Sequence, residues 1–328
     1  MISPAAAVWI LDRIHYEERI FALRAEGDLD LPAYAGSTMR GAIGMVMRPE
    51  LCLGRRDAGA VCGEDCAAPS VCPFYSLFEQ SRAGGGAGEN QPKPLIIETP
   101  LGEPLAAIAA GAEVSEPFEL EAGRPVPVLR NGARWRVGHG QEIELVVRAL
   151  GVAGAALDGV EEGIRQQGLE VKGGRLRLAE VARRKRRLGR EEADGPLRRI
   201  RLVIETPLLM KGAEGTCFDP PEVGRMVLEQ AVVRAVRIHN HLFARGDGKA
   251  PFVRPEWPGV VMTGHRLFRY VLPRHSYRQE EWMNFDGVVG WIEWEGEVGP
   301  LVPWLRAAEV VHVGQKAAFG LGRVRLWG

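Results

Sequence analysis

The stretch 197–209 constrains this chain most: Ile200, Leu202 and Ile204 fall on one side of an alternating run. A period of two marks a strand that buries one face and leaves the other open. Asp219-Pro220-Pro221-Glu222 follows as an N-cap with prolines at the helix start, which predicts a long helix over 223–243. Strands over 265–278 and 285–295, a short helix over 300–308 and a strand over 322–327 complete the order β-α-β-β-α-β. Upstream the same order is legible. It runs through a strand over 16–27, a helix over 39–47 stopped by Pro49, and strands over 95–99 and 141–150. A helix over 153–167 and a strand over 175–181 close it, with short strand candidates at 118–121 and 126–129. Two such units predict an α+β chain of tandem ferredoxin-like (RRM-like) domains, 1–195 and 196–328. Each is one antiparallel sheet with two helices on one face, which leaves the cleft between the sheets as the ligand site.

The 328 residues suffice for two cores, and Lys plus Arg equals Asp plus Glu at 42 each. No global field therefore draws the protein to a polyanion. Locally the balance differs: Arg183, Arg184, Lys185, Arg186, Arg187, Arg190, Arg198, Arg199 and Arg201 crowd one segment, either a solvated face or a one-sided polyanion site. The N-terminus lacks a signal-peptide pattern and no stretch reaches the length of a membrane span, so a cytoplasmic location is expected.

Cys52, Cys62, Cys66 and Cys72 fall within an insert over 50–75 that is rich in Gly, Ala and Pro. In a reducing compartment four thiolates so close suit a structural, tetrahedral zinc, with spectator cysteines as the alternative. Near the C-terminus, 314–322 reads GQKAAFGLG, with His312 before it and Arg323 after. Such a loop is either a turn before an edge strand or a phosphate cradle in which Gly314, Gly320 and Gly322 admit close approach and Lys316 supplies charge. Arg40 lies in a helix first turn, where backbone N–H groups favour an anion. Of the seven histidines, His275 and His312 have cationic neighbours, the company of an RNA site, though for either one alone a structural role is the readier reading. No Walker A, HExxH or GxSxG pattern occurs.

Several strings together resemble a known family. Arg274-His275-Ser276-Tyr277-Arg278-Gln279, then Gly287-Val288-Val289-Gly290, His312-Val313-Gly314-Gln315-Lys316 and Phe319-Gly320-Leu321-Gly322 resemble the C-terminal domain of the CRISPR-associated RAMP endoribonucleases that process precursor crRNA. Residues 31–44, LPAYAGSTMRGAIG, followed by the four cysteines, resemble the opening of its zinc-containing branch. The resemblance implies recognition of CRISPR repeat RNA and cleavage without a catalytic metal, by attack of the 2′-OH on the adjacent phosphate. It implies RNA contacts from Arg40, Arg274, Ser276, Arg278, Gln279, Arg323 and the glycine-rich loop, with Lys316 on phosphate and His275 or His312 as base. It also implies hand-over of the product to other subunits of a CRISPR effector complex. Relatives often carry His where this chain has Met45, and an aromatic residue where it has His275. A non-catalytic crRNA-binding subunit of such a complex is therefore the competing expectation.

Overall fold

The computed structural model describes residues 9–53, 71–79, 92–112, 126–130, 134–189, 197–212, 215–244, 248–251, 255–276 and 281–328. The first sheet begins with β1 (His15–Ala25), which leads into helix α1 (Gly36–Leu51) and edge strand β2 (Leu95–Glu98). Two elements then leave this sheet: the short helix α2 (Leu105–Ala109) and strand β3 (Val128–Arg130). The chain returns with β4 (Glu142–Leu150), helix α3 (Ala156–Gln167), the short β5 (Leu169–Val171) and the long β6 (Gly174–Arg187). The strands lie in the order β2-β4-β1-β6-β5, all antiparallel. Setting aside β5, this is the ferredoxin-like order, with both helices on one face.

The second unit repeats it with β7 (Arg199–Leu208), α4 (Pro220–Ile238), β8 (Val260–Val271), β9 (Gly287–Gly296), α5 (Val302–Val311) and β10 (Val324–Trp327). Its order is β10-β7-β9-β8-β3. Ile200, Leu202 and Ile204 of β7 are buried under α4 and α5 with Val223, Val227, Leu305 and Ala308. Each such aliphatic side chain stabilises the fold by about 1.5–3 kcal/mol on burial. Asp219 caps α4 by accepting from the Glu222 N–H at 3.2 Å, with prolines in its first turn. Among the described residues no helix is long and apolar enough to cross a membrane.

Several expectations are corrected. The strand candidate near 126–129 joins the second sheet, pairing parallel to β8 at Arg269, Tyr270 and Val271. The candidate over 118–121 lies outside the described residues. The halves 1–195 and 196–328 thus interlock, and Ile10, Leu11, Ile14 and Leu188 also enter the second core. Strand β6 continues through the basic run to Arg187 instead of ending near 181. Its partner β1 opposes that run with carboxylates: Lys185 pairs with Glu17 at 2.8 Å and Arg184 with Glu18 at 3.8 Å. Helix α1 runs two residues past Pro49. Pro49 lacks the N–H that would serve the carbonyl of Met45 one turn earlier, and Met45 is an exposed residue of the helix.

Candidate RNA-binding and cleavage site

The two units meet along a seam that buries Tyr34, Leu105, Ile108 and Leu129 against Phe268, Tyr270, Phe285, Val289, Phe319 and Leu321. The lower part of the cleft expected between the sheets is therefore filled, with α2 lying on the second sheet. At one end of this seam the glycine-rich loop rests on the N-terminus of α1.

The loop leaves α5 through His312, whose φ of 61° ends the helix, and closes on itself when the Val313 N–H donates to Gly322 O at 2.9 Å. The hydroxyl of Thr206 donates to Gly320 O and accepts from the Arg323 N–H, both at 2.8 Å. Gly314, Gly320 and Gly322 all have positive φ, and the structure turns all three toward protein backbone. Lys316, at φ 64°, is the loop's exposed cation, its Nζ 5.7 Å from the centre of the Phe285 ring. The 3-10 turn Ala317–Phe319 then packs against α1: a Cβ on Gly36 would lie 2.1 Å from the Phe319 carbonyl oxygen, so only glycine allows the approach. The Tyr34 hydroxyl donates to the same carbonyl, and burial pushes its pKa well up, keeping it a donor.

Helix α1 has no side-chain cap and no acidic residue in its first turn. Its leading N–H groups, beside half-exposed Ser37 and Thr38, form an anion-attracting end next to the loop. Arg40 is stacked between Phe78 and Phe319, 4.2 and 4.3 Å from the two ring centres, and donates to Phe78 O at 2.5 Å. Met45 projects from the solvent side of the same helix, 55% exposed.

Behind the loop, His312 is wholly buried. Its Nδ1 lies 3.1 Å from Leu321 O and its Nε2 3.1 Å from Glu98 Oε1. Burial pulls the imidazole below its ordinary pKa, against the hydrogen bond and charge of Glu98. Burial pushes the Glu98 carboxyl up, but the His312 bond and the charges of Arg148, His312 and Arg323 outweigh it. They hold the carboxyl well below the usual carboxylate range. Arg148 bridges Glu98 and Glu18, and Arg323 donates to Thr99 O at 3.1 Å while pairing with buried Glu205 at 2.5 Å. His312 and Arg323, predicted at the RNA surface, thus lie in the ties between the units. Tyr34 lies within the 31–44 string but is assigned no role by it, and Glu98 falls in no motif; its one signal is a lone carboxylate ending the apolar run Leu95-Ile96-Ile97.

Arg274, His275 and Ser276 stand on the first strand of the hairpin Pro273–Ser276 and Glu281–Asn284, His275 opposite Trp282. Arg278 and Gln279 lie outside the described residues, as do Cys62 and Cys66. Cys52 and Cys72 are both buried. Burial raises the Cys72 thiol, but N–H groups of Leu53, Tyr75 and Phe74 and the Cys52 thiol bring its pKa net below the ordinary value.

Above the seam opens a cleft of ≈ 570 Å³ in which Arg148, Arg184, Arg323 and Arg325 are paired with the lining carboxylates Glu18, Glu98 and Glu205, and to which Arg186 and Arg187 add their charge. Arg186 and Arg187 have no ion-pair partner among the described residues.

Comparison with known proteins places these features. Residues 202–324 match the family model described as CRISPR-associated endoribonuclease Cas6, and residues 14–121 match the N-terminal domain model AF_1859_N. No curated protein sequence matches the chain. Among solved structures, a partial Cas6-RT-Cas1–Cas2 complex superposes with a TM-score of 0.50 at 12% identity, over 96% of this chain and 46% of that one. A Cas6 product complex gives 0.49 at 13% identity over 95% and 99%. The first of these likenesses supports the tandem α+β fold.

Proposed function

We propose, from the match of residues 202–324 to the family model described as CRISPR-associated endoribonuclease Cas6, that the chain binds CRISPR repeat RNA and cuts it to crRNA. The observation that carries the reading is the junction of exposed Lys316 with the uncapped N-terminus of α1. A phosphodiester seated there meets one side-chain cation and a set of backbone N–H donors. In the reaction the 2′-oxygen attacks phosphorus and the bond to the 5′-oxygen breaks. A 2′,3′-cyclic phosphate remains on one product and the 5′-oxygen leaves as a hydroxyl after taking a proton. Lys316 and the helix N–H groups stabilise the charge that grows on the non-bridging oxygens. His312, engaged at both nitrogens inside the protein, sets the loop's exit from α5, so the base falls to His275 on the neighbouring hairpin.

End-labelled repeat RNA incubated with the protein in EDTA tests this. Cyclic-phosphate product is expected, with the Lys316→Ala rate lower by roughly 10²-fold, the loss typical of one transition-state donor. Exposed Met45, where relatives of the RAMP branch often carry His, favours a second reading: a crRNA-binding subunit that does not cut. Tight, salt-sensitive binding without product would select it.

The cysteine cluster fits a structural zinc on chemical grounds. Cys52 and Cys72 are buried side by side, and donated N–H groups favour the Cys72 thiolate that zinc requires. With Cys62 and Cys66 they would complete a tetrahedral set holding the end of α1 to the segment that begins at Val71. Metal analysis of protein expressed without added metal should return one zinc per chain; Cys52→Ser/Cys72→Ser should return none. Zinc-free wild type would remove the idea.

A further inference from the structure

The second sheet carries a stacked row on the face turned away from its helices. With Ile200, Leu202 and Ile204 facing α4 and α5, the alternation turns Arg199, Arg201 and Val203 the other way. Arg201 lies directly opposite Trp327 of β10, and its guanidinium sits 4.3 Å from the centre of the Trp291 ring on β9. The Trp291 ring in turn spreads over Gly264 of β8, where an added Cβ would come within 3.3 Å of it. Trp327, Arg201, Trp291 and Gly264 thus form one line across four strands.

The row is held rigid from beneath. Glu293 opposes Arg201 in register, is almost fully buried, and grips Arg199 at 2.5 Å and Arg201 at 3.1 Å. Cations outnumber anions on what faces outward: the side chains of Arg199, Arg201 and Arg325 are 61%, 42% and 58% exposed, whereas Glu293 and Glu205 beneath them are 8% and 2%. Glu295, a carboxylate beside them at the surface, pairs with Arg199 at 3.5 Å. Trp327 itself is 48% exposed. Arg325 also lines the cleft above the seam, so the row continues that cleft outward.

Flat rings and a fixed guanidinium plane, interleaved with cations, suit unpaired nucleobases better than a protein surface. Every base offers a π-face, and its phosphates can reach the flanking arginines. We propose that this face is a base-stacking platform for single-stranded RNA, with Trp327 and Arg201 as the stacking groups. The proposal rests on the RNA-processing reading and extends it to a segment of RNA away from the Lys316 junction.

Fluorescence anisotropy with fluorescein-labelled decauridine, which forms no hairpin, tests it beside the labelled repeat RNA. Trp327→Ala should bind decauridine about tenfold more weakly, within the range for loss of one base-aromatic stack, and Trp327→Phe should recover most of that loss. Arg201→Lys keeps the charge but removes the plane, so it too should weaken binding, and the deficit should persist at raised salt. Should both variants bind decauridine as wild type does, the platform is overturned while the repeat-RNA reading stands. Wild type that binds repeat RNA but no decauridine overturns it equally and leaves the face to a protein partner. Wild type that binds neither RNA brings down the RNA-processing reading, and the platform with it.

Discussion

Replacing Glu98 by Ala should lower stability by about 3–5 kcal/mol in urea denaturation, the cost of leaving a buried charge network without its central anion. Glu98 joins the two halves of that network, touching His312 on the second unit and Arg148 on the first. Its removal strands the Arg148 guanidinium on Glu18 alone and leaves the His312 Nε2 facing a void. Among the described residues the neighbouring carboxylates are already engaged, Glu18 with Arg148 and Arg184, and Glu205 with Arg323 and Arg325. Glu98→Gln keeps the volume and one acceptor for His312, so it should fall between the two. As a control, Glu26→Ala removes an exposed partner of Arg177 and should cost less than about 1 kcal/mol. A Glu98→Ala protein as stable as that control would show that the seam is held by its apolar cluster and owes nothing to these charges.

How much of this was legible beforehand depends on the range of the interaction involved. The alternation at Ile200, Leu202 and Ile204 and the cap at Asp219 are local signals, and β7 and α4 form where those signals put them. The length of β6 is not local. Five consecutive basic residues read as a solvated connection until Glu17 and Glu18 are known to stand opposite them. Strand β3 is likewise short enough to belong to either sheet, and only the exposed edge of β8 claims it. The site divides in the same way. Lys316 is legible because a cation in a glycine-rich loop is exposed wherever the loop goes. The interior placement of His312 and the Glu98 beside it are not, because a partner more than two hundred positions away leaves no mark on the spacing of a motif. Glycines misled for a related reason: a run of them signals close backbone approach, but not whether the approaching group is a phosphate or the protein's own carbonyl.

That ambiguity makes Gly322→Ala the sharpest test of what the loop glycines do. Gly322 has φ 71°, and a Cβ there would lie 1.8 Å from the Val313 carbonyl oxygen and 2.9 Å from its carbon, both rigid backbone. The left-handed conformation alone costs an alanine about 1–2 kcal/mol. Relieving the clash also requires the loop to open at the Val313 N–H bond to Gly322 O, and that bond joins the end of α5 to the start of β10. The expected loss is more than about 3 kcal/mol, the sum of backbone strain and a broken buried hydrogen bond. It should appear as a lower urea midpoint and a fall in repeat-RNA affinity, because Lys316 loses its fixed position. Gly41→Ala, on the exposed side of α1 with nothing within 4 Å of the new methyl, should do the opposite and stabilise by about 0.5–1 kcal/mol. If the glycine at 322 served only to admit a phosphate, its alanine variant would lose no more than about 1–2 kcal/mol of stability, the backbone strain, together with RNA binding. A loss of more than about 3 kcal/mol together with RNA binding, with the Gly41 variant gaining stability, would assign the glycine to the loop's own closure and leave recognition to the lysine it presents.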